Sequence, residues 1–460
     1  MKILVCIRQG LDGEINPFDA CAYEEALKIK GAEVTIISMA PPSAKDFLLR
    51  LTRLGAKKAI LLTDKAFVGA DTIATAYALS LAVKKIEPDL VFCGRQTLVG
   101  DTAQTGAMLS VFANTSLITN VMSIDGITDL VTCATRDMGI QTAKLPATLT
   151  IERINTLRLP SIMSKLGEVE EWSAVDIGAD PQKSGLLGSP TRVIKTFENE
   201  SGKRKCRFIS IDELPCAIEQ ALKKNKDKIQ LPQNSDNKLS RVCIVGEDPH
   251  EFAKTVCDNV TVLQFDEPEL LADKITKLNP DAVIWGSDSL SKKLSAQVAA
   301  MLNVGLCADC TALEVDEDIL YMYRPALSGS IIAKIKSLTR PAMATVRTNK
   351  QSGDILVSIG YGAKDNLETV KAFAQSIGAE IATTRKMVDN SVLAYDMQVG
   401  LTGKTVSPPV YIAVGVSGAV HHIAGMERSG TVIAINTDKD APIFEYADYG
   451  IIADAKDLNN

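Results

Sequence analysis

The chain has 460 residues, of which 46% are hydrophobic and 23% charged, with a formal net charge of −6 and a pI near 5.4. This length exceeds a single hydrophobic core and predicts several domains. The acidic balance argues against a nucleic-acid partner, which would require a concentrated basic surface. The apolar runs are far shorter than the roughly 20 residues of a membrane span. We therefore expect a soluble multidomain protein.

The ten cysteines are scattered along the chain, and Met1-Lys2-Ile3 opens directly as a strand rather than as an export signal. Scattered cysteines do not favour a structural metal site, so we expect no metal. Without an export signal, reduced thiols and a cytoplasmic location are expected.

Short apolar runs alternate with segments of helical periodicity in the first hundred residues. The predicted strands are residues 3–7, 34–37, 59–62 and 90–93, and the predicted helices are 20–30, 44–54 and 72–85. This alternation is typical of βαβ units around a mostly parallel sheet.

The chain also repeats itself. Residues 85–94 recur as residues 277–286, and the Leu145-Pro146 and Arg340-Pro341 steps follow at corresponding positions. Any two α/β units share some pattern, but near-constant spacing over about 60 residues favours a duplicated domain.

The repeat divides the chain into four predicted parts. They are a first copy at 1–165, an arm and polar linker at 166–239, a second copy at 240–350 and a further domain at 351–460. The last domain has candidate strands at 355–359, 380–383, 410–416 and 431–435.

The most informative stretch is the end of the 410–416 strand, where small residues lead into His421 and His422, two of the three histidines in the chain. Such a turn brings backbone N–H groups close to an anionic or electron-rich ligand at a helix start. A tight turn without a ligand is the alternative. A histidine pair at a strand–helix switch point favours the ligand.

The ordered motifs of this last domain resemble the FAD domain of the electron-transfer flavoprotein α subunit. They include Gln398-Val399-Gly400, Thr402-Gly403-Lys404, Ser417-Gly418-Ala419, Ala434-Ile435-Asn436 and Ala447-Asp448-Tyr449-Gly450. Residues 1 to about 226 resemble the β subunit, through Asn16-Pro17-Phe18, Gly94-Arg95-Gln96 and Gly100-Asp101-Thr102-Ala103-Gln104. The resemblance implies a β-then-α fusion in one chain. It also implies an α/β fold of two pseudo-repeated, parallel-sheet, adenine nucleotide α-hydrolase-like domains and a C-terminal Rossmann-like FAD-binding domain.

The same resemblance implies an FAD site in the last domain. Its residues would be Thr384, Arg385, Gln398, Val399, Gly400, Leu401, Thr402, Ser417, Gly418, Ala419, Val420, His421, His422, Asn436 and Asp454. Thr402 would bond flavin N5, His422 would lie by the pyrimidine-ring carbonyl, and Arg385 would place a cation near the ring. A donor-rich or positive environment stabilises the charge of reduced flavin.

A second nucleotide, AMP or another FAD, is implied in the first half. Its residues would be Cys6, Asn16, Pro17, Phe18, Asp19, Met39, Gln96, Gly100, Asp101, Thr102, Ala103, Gln104 and Thr105. Similarity to the electron-bifurcating branch of the family favours a second FAD. Leu159 lies in the remnant of a partner-recognition loop.

By resemblance, the chain is an electron carrier with no substrate of its own. It would shuttle electrons between an acyl-CoA dehydrogenase-like flavoenzyme, as in fatty acid β-oxidation, and another redox protein. Two alternatives stay open: an NADH-oxidising, electron-bifurcating flavoprotein with two FAD, and a non-redox nucleotide-binding module.

Overall fold

A computed structural model describes residues 1–10, 12–198, 204–226, 237–326, 331–347, 353–400, 403–404, 406–427 and 429–459. These residues form two compact units. The described residues of the first unit fall within 1–197, 237–326 and 331–347, and those of the second fall within 198–226 and 353–459.

The first repeat lies in the first unit. Its strands are β1 (Lys2–Cys6), β2 (Glu33–Met39), β3 (Lys58–Leu62), β4 (Leu90–Gly94), β5 (Ser116–Ile127), β6 (Leu130–Thr135), β7 (Gly139–Lys144), β8 (Ala147–Ile151) and β9 (Glu168–Trp172). Its helices are α1 (Pro17–Lys28), α2 (Lys45–Thr52), α3 (Thr72–Ile86) and α4 (Thr105–Ala113). The strands follow the order β7-β6-β5-β8-β4-β1-β2-β3-β9.

Pairing is parallel throughout this sheet except for β6 and β7, which form antiparallel pairs at one edge. The central strands are buried on both faces, as expected of a parallel sheet covered by helices. Helix α3 begins where the Asp71 side chain accepts hydrogen bonds from the Ile73 and Ala74 amides, and ends at Glu87 in the left-handed conformation.

Between the repeats lie β10 (Thr191–Glu198), β11 (Arg207–Phe208) and α5 (Leu214–Lys226). Strand β10 belongs to the first unit, at the edge of a sheet that continues with the strands Ile331–Ser337, Ile319–Ala326 and Ala312–Asp316, whereas β11 and α5 belong to the second unit. Strand β11 pairs in parallel with the strand Tyr449–Ile452, and α5 buries Leu214, Ala217 and Ile218 in the core of that unit.

The second repeat contains the strands β12 (Val242–Val245), β13 (Val260–Leu263), β14 (Ala282–Trp285), β15 (Leu306–Cys310), β16 (Ala312–Asp316), β17 (Ile319–Ala326), β18 (Ile331–Ser337) and β19 (Ala342–Val346). Its helices are α6 (His250–Val256), α7 (Pro268–Leu278) and α8 (Ser289–Leu302). The sheet order β13-β12-β14-β19-β15 reproduces the first repeat's β2-β1-β4-β8-β5. The predicted duplication is therefore confirmed.

The correspondence extends to an irregularity. The pairing register shifts within β5 and within β15, and Asn120 and Asp309 at these points both have positive φ, 57° and 53°. The amide of Asn120 donates to Thr150 Oγ1 at 3.0 Å, and that of Asp309 donates to Thr345 Oγ1 at 2.8 Å. Both repeats thus use a threonine hydroxyl to satisfy the amide that the bulge removes from the ladder.

The C-terminal domain contains β20 (Ile355–Ile359), β21 (Glu380–Thr383), β22 (Val410–Val414), β23 (Thr431–Asn436), β24 (Tyr449–Ile452), α9 (Leu367–Ser376), α10 (Arg385–Asp389) and α11 (Val420–Met426). Its parallel sheet follows the order β11-β24-β23-β22-β20-β21. Short 3-10 helices lie at Pro42–Ala44, Lys65–Phe67, Pro181–Lys183, Ile211–Glu213, Tyr361–Asn366, Tyr395–Met397, Pro442–Tyr446 and Ala455–Asn459.

The expected α/β class with mostly parallel sheets is confirmed. The four-part division of the chain stays a prediction. Within the predicted arm and linker, residues 227–236 lie outside the described residues. Among the helices that the structure describes, we find none with both the length and the apolar character of a membrane span.

Candidate functional site

The strand order of the C-terminal sheet reverses at β20. Strand β20 is followed by β21 on one side, and β22 then lies on the other side of β20. All these strands are parallel, so Thr384, Gly360 and Gly415 leave them at the same edge. Crevices at such switch points are where open α/β sheets bind ligands.

Glycines let two backbones meet at this crevice. A Cβ on Gly360 would lie 2.2 Å from the Gly415 carbonyl oxygen, and the Gly362 amide donates to that oxygen at 3.0 Å. Gly418 has φ of +90°, and a Cβ there would lie 2.2 Å from the Ile443 nitrogen. The segments that follow β20 and β22 therefore tolerate no side chain at Gly360 and Gly418.

A second loop packs beside this turn. The Val399 amide donates to the Thr383 carbonyl at 2.9 Å, and the Lys404 amide to the Gln398 carbonyl at 2.8 Å. A Cβ on Gly425 would lie 2.4 Å from the Gly400 nitrogen, so the loop rests directly on α11. Leu401 and Thr402, the residue predicted to bond flavin N5, lie outside the described residues.

His422 is 6% exposed and forms hydrogen bonds through both ring nitrogens. Nδ1 lies 3.1 Å from the Val399 carbonyl oxygen, and Nε2 lies 2.9 Å from the Tyr411 hydroxyl. A carbonyl can only accept, so Nδ1 carries the proton and Nε2 of the neutral ring accepts from Tyr411. Burial lowers the pKa of His422 to about 4. The ring is neutral near pH 7 and links α11 to strand β22 and to the Val399 loop.

The neighbouring residues face outward. Ser417, Ala419, Val420 and His421 are exposed, and Val420 is 66% exposed although it is apolar. Across the crevice, the buried Thr384 hydroxyl has no hydrogen-bond partner among the described residues. Apolar surface together with an unsatisfied hydroxyl is a combination that a bound organic ligand would complete.

The remaining predicted residues form hydrogen bonds and ion pairs at the same edge of the sheet. Arg385 forms a 3.0 Å ion pair with Asp389. Asn436 donates to the Val416 carbonyl at 2.9 Å, and Asp454 accepts from Asn366 at 3.1 Å. Gln398 is buried beside Thr383. The structure thus gathers the described members of this predicted set at one sheet edge.

The predicted second nucleotide site lies at the carboxyl edge of the first repeat. Asn16 Nδ2 donates to the Gln96 carbonyl at 2.9 Å, and Gln96 Nε2 donates to Asp101 Oδ1 at 2.6 Å. These contacts join the start of α1 to the loop after β4. Pro17 and the buried Phe18 begin α1, whereas Met39 ends β2.

Asp19 is the most perturbed carboxyl of this edge. It is 4% exposed, and the Arg8 amide donates to its Oδ2 at 2.8 Å. Burial raises its pKa to about 7, against the lowering effect of the Arg8, Asn16 and Gly94 hydrogen bonds. Cys6 ends β1 in register with Cys93 on β4, close to this carboxyl.

The loop from Gly100 to Thr105 has an unusual backbone. Asp101 and Ala103 have positive φ values of 49° and 55°, a conformation that is uncommon for residues other than glycine. The Gln104 side chain is buried and accepts from Thr72 at 3.0 Å, yet its Nε2 has no partner in the described part of the chain. Thr102 and Thr105 are partly exposed on this loop.

Sequence reasoning missed three features. Tyr411 holds His422, although a tyrosine inside a fully apolar strand was a signal that its hydroxyl needs a partner. The buried Glu152 lies between Arg95 and Arg136, which no local pattern indicates. Cys307 and Cys310 have CxxC spacing, but both are buried, on either side of the β15 bulge.

Comparison with known proteins agrees with this geometry. The electron transfer flavoprotein domain model matches residues 3–177 and 263–372, and the electron transfer flavoprotein FAD-binding domain model matches residues 351–427.

The chain is also similar to separate subunits of known flavoproteins. Electron transfer flavoprotein subunit alpha of Thermoanaerobacterium thermosaccharolyticum is 35% identical over 231 residues, covering 40% of this chain and 70% of that protein. Electron transfer flavoprotein subunit beta of Clostridium acetobutylicum is 42% identical over 205 residues, covering 42% and 79%. Protein FixA of Sinorhizobium fredii is 38% identical over 233 residues, covering 46% and 81%.

The chain belongs to the electron-transfer flavoprotein family, and it combines in one polypeptide the α and β types that its relatives carry as separate subunits. The predicted family is confirmed. FAD is the cofactor of the matching C-terminal domain, and the unsatisfied Thr384 hydroxyl and the glycine-lined crevice fit such a ligand.

Proposed function

We propose that the chain carries electrons from a dehydrogenase to another redox protein through FAD held at the β20–β22 crevice. The crevice itself supports this proposal most directly, because it combines close backbone packing at Gly360 and Gly415 with the exposed apolar Val420. Bound FAD supplies one- and two-electron chemistry.

The residues of this chain position the cofactor and control its surroundings. We assign Thr384 a hydrogen bond to FAD, since its hydroxyl is unsatisfied without a ligand. The neutral His422 fixes the Val399 loop against α11, so it contributes a dipole and rigidity rather than a full positive charge. Arg385 supplies the cation of this edge, although its pairing with Asp389 weakens the field it exerts.

The remaining predicted FAD residues keep the roles that the family resemblance implies: Gln398, Gly400, Ser417 to His421 and Asn436 along the cofactor, and Asp454 towards its adenosine end. Leu401 and Thr402 complete the set, with Thr402 at flavin N5.

The partner surface is proposed around Leu159, which is 89% exposed. Ile162 and Met163 follow it at 96% and 87% exposure. Three almost fully exposed apolar residues in one segment are typical of a protein-docking surface. We propose that this segment, the docking segment, contacts an acyl-CoA dehydrogenase-like flavoenzyme.

Electron transfer between the purified proteins tests the assignment. An acyl-CoA dehydrogenase, reduced by its substrate, should bleach the visible absorbance of the FAD bound to this chain. Leu159→Glu should raise the KM for the dehydrogenase while leaving FAD content unchanged, and Val175→Glu, at an exposed apolar site elsewhere, serves as the control. A chain that binds no FAD, or an FAD that never bleaches with any dehydrogenase, would contradict the proposal.

A second nucleotide is proposed at the first repeat's edge, at Cys6, Asn16 to Asp19, Met39, Gln96 and Gly100 to Thr105. The unsatisfied Gln104 amide and the left-handed Asp101 and Ala103 support a ligand there. Mass spectrometry of the extracted cofactors decides between two functions. One FAD with one AMP indicates a simple carrier, whereas two FAD indicate an NADH-oxidising, bifurcating enzyme.

A further inference from the structure

A partly open cavity of about 40 Å³ lies within the first unit, where the two repeats meet. The first repeat lines it from β5, β8 and the start of α4, and the second repeat from the start of α8. Apart from Ala103, its lining was not part of either predicted site, and the family resemblance assigned it no ligand.

The charged residues that line the cavity all carry positive charge: they are Arg95, Arg136, Lys292 and Lys293, and no carboxylate is among the described lining residues. The other polar lining groups are hydroxyls of serine and threonine and the amide of Asn120. The Asp137 carboxylate, which is not among the described lining residues, accepts hydrogen bonds from Asn120 and Ser289 and pairs with Arg136. A partly enclosed space lined by four cations and by the Thr119 hydroxyl is complementary to an anion with several oxygen atoms.

Carboxylates behind the lining hold three of these cations in place. Glu152 Oε1 lies 3.3 Å from Arg95 Nε and 2.9 Å from Arg136 Nη1, and Asp309 lies 2.9 Å from Lys292 Nζ. Burial alone would raise the pKa of Asp309, but Lys292 and its other cationic neighbours lower it to about 2, so this carboxylate stays charged. The cations are therefore oriented before any ligand arrives, which lowers the entropic cost of binding.

Two lining residues keep hydrogen-bonding capacity unused. Thr119 is 7% exposed, and its Oγ1 has no hydrogen-bond partner among the described residues. The Arg95 side chain is 9% exposed, and its Nη2 also has no hydrogen-bond partner among them. Lys293 forms no ion pair with another described residue, and burial lowers the pKa of its ammonium group. Buried donors and cations left unsatisfied cost free energy unless a ligand completes them.

We propose that this cavity between the repeats binds a phosphate-type oxyanion, with Lys293, Arg95 and Thr119 as its direct contacts. The oxyanion is either inorganic phosphate or the phosphate group of a nucleotide that enters from the neighbouring Gly100–Thr105 loop. All the residues of this site belong to the first unit. The proposal therefore does not depend on whether the chain is an electron carrier.

Isothermal titration calorimetry of the FAD-loaded protein with inorganic phosphate tests the site, at constant ionic strength set with chloride. We expect saturable binding in the wild type. Thr119→Val, which keeps the side-chain shape, and Lys293→Gln should each weaken it about tenfold, since each removes one hydrogen bond or charge.

Two matched variants control this experiment. Thr132→Val removes a hydroxyl that lies 3.3 Å from the Thr142 hydroxyl on the exposed hairpin, away from the cavity lining, and Lys277→Gln removes an exposed positive charge on α7. Both should bind phosphate like the wild type. If Lys293→Gln fails to fold, Thr119→Val decides the question, because an unsatisfied hydroxyl contributes little to stability. Absence of saturable phosphate binding, or equal affinities in all variants, would overturn the proposal.

AMP and adenosine then identify the source of the phosphate. Competition between AMP and phosphate, together with loss of AMP affinity but not of adenosine affinity in Thr119→Val, assigns the site to a nucleotide phosphate. Simultaneous binding of AMP and phosphate assigns it to a free anion. Either result supports the oxyanion site, and neither depends on whether the FAD accepts electrons.

Discussion

The two candidate sites lie at the same kind of place, the carboxyl edge of a parallel sheet, but they are built from different chemistry. The edge in the first repeat contains buried ionisable groups, among them Asp19, Asp101 and the Arg95–Glu152 pair. The edge in the C-terminal domain contains glycine crossings at Gly415 and Gly418 and a neutral histidine.

The difference shows how the same position in a parallel sheet can be adapted to two types of ligand. Paired charges and hydrogen-bond donors suit phosphate groups, whose charge must be compensated on burial. Close backbone approach and an exposed apolar side chain suit a flat ring, which needs contact area and few charges. The four predictions below perturb one edge and leave the other as an internal reference.

The largest effect is expected from Glu152→Gln in the first unit. This carboxyl is completely buried between Arg95 and Arg136. Its removal takes their shared anion from both cations, and Arg136 keeps its ion pair with Asp137. We expect urea unfolding of the first unit to show a loss of about 3–5 kcal/mol, the usual cost of breaking a buried pair. Glu170→Gln, which breaks the exposed pair with Lys58, should cost less than about 1 kcal/mol. Equal losses would show that the buried cluster is not a charge-stabilised element.

Gly418→Ala should disrupt the carboxyl edge of the C-terminal sheet. The new Cβ would lie 2.2 Å from the Ile443 nitrogen, and the positive φ disfavours any side chain. We expect about 3 kcal/mol of destabilisation in the second unit and loss of FAD absorbance after purification. Gly353→Ala is the matched control, since its Cβ would meet nothing nearer than 3.5 Å. A Gly418→Ala protein that keeps its FAD would disprove the tight turn.

The stability contributions of His422 and Asp19, one at each edge, should change with pH in opposite directions. His422 has its pKa lowered to about 4 from 6.5, so below pH 6.5 the unfolded chain takes up a proton that the folded ring does not. Its contribution to stability is therefore lost as pH falls from about 6.5 to 4, by up to about 3 kcal/mol. Asp19, with its pKa raised to about 7 from 3.8, binds its proton more tightly when folded, so its contribution is lost as pH rises across that range.

Urea titrations between pH 4 and 8 measure both slopes. His422→Gln should flatten the dependence of the second unit between pH 6.5 and 4 relative to the wild type, whereas the first unit should be unaffected. Identical pH profiles for the wild type and the variant would show that His422 is not buried and neutral.

The smallest stability effect is expected at two adjacent threonines. The Thr383 hydroxyl donates to the Ile359 carbonyl at 2.9 Å, whereas the Thr384 hydroxyl has no described partner. Thr383→Val should cost about 1 kcal/mol and leave FAD affinity unchanged. Thr384→Val should change stability by less than about 0.5 kcal/mol but weaken FAD binding about tenfold. Fluorescence titration of the apoprotein with FAD checks both, and the reverse pattern would remove Thr384 from the site.

Much of the architecture could be predicted because it depends on local pattern. The alternation of buried strands and helices indicated parallel sheets, and strands β20 and β21 begin and end where the sequence placed them. The constant spacing of the repeat indicated the duplicated sheet order. The hairpins β6–β7 and β16–β18 were missed, since their alternating strands are short and partly polar.

The candidate FAD site was predicted as a set of motifs, and the described motifs do converge at one edge because parallel strands bring their carboxyl ends together. Its internal contacts could not be predicted. The bond between His422 and Tyr411, and the resulting neutral ring, depend on how α11 packs over β22. The sequence therefore predicted His422 as a site residue but did not predict its protonation state.

What the sequence by itself determined is the family, the repeated α/β pattern and the residues at each strand end, because periodicity and motif order are properties of neighbouring positions. What only the tertiary structure decided is the charge of each edge. Arg95 and Glu152 are far apart in the chain and meet because β4 and β8 pair in one sheet, and Lys293 lines the same cavity as Arg95 only when the two repeats pack together. Burial then sets which groups are charged, because the cost of removing an ion from water depends on everything that surrounds it.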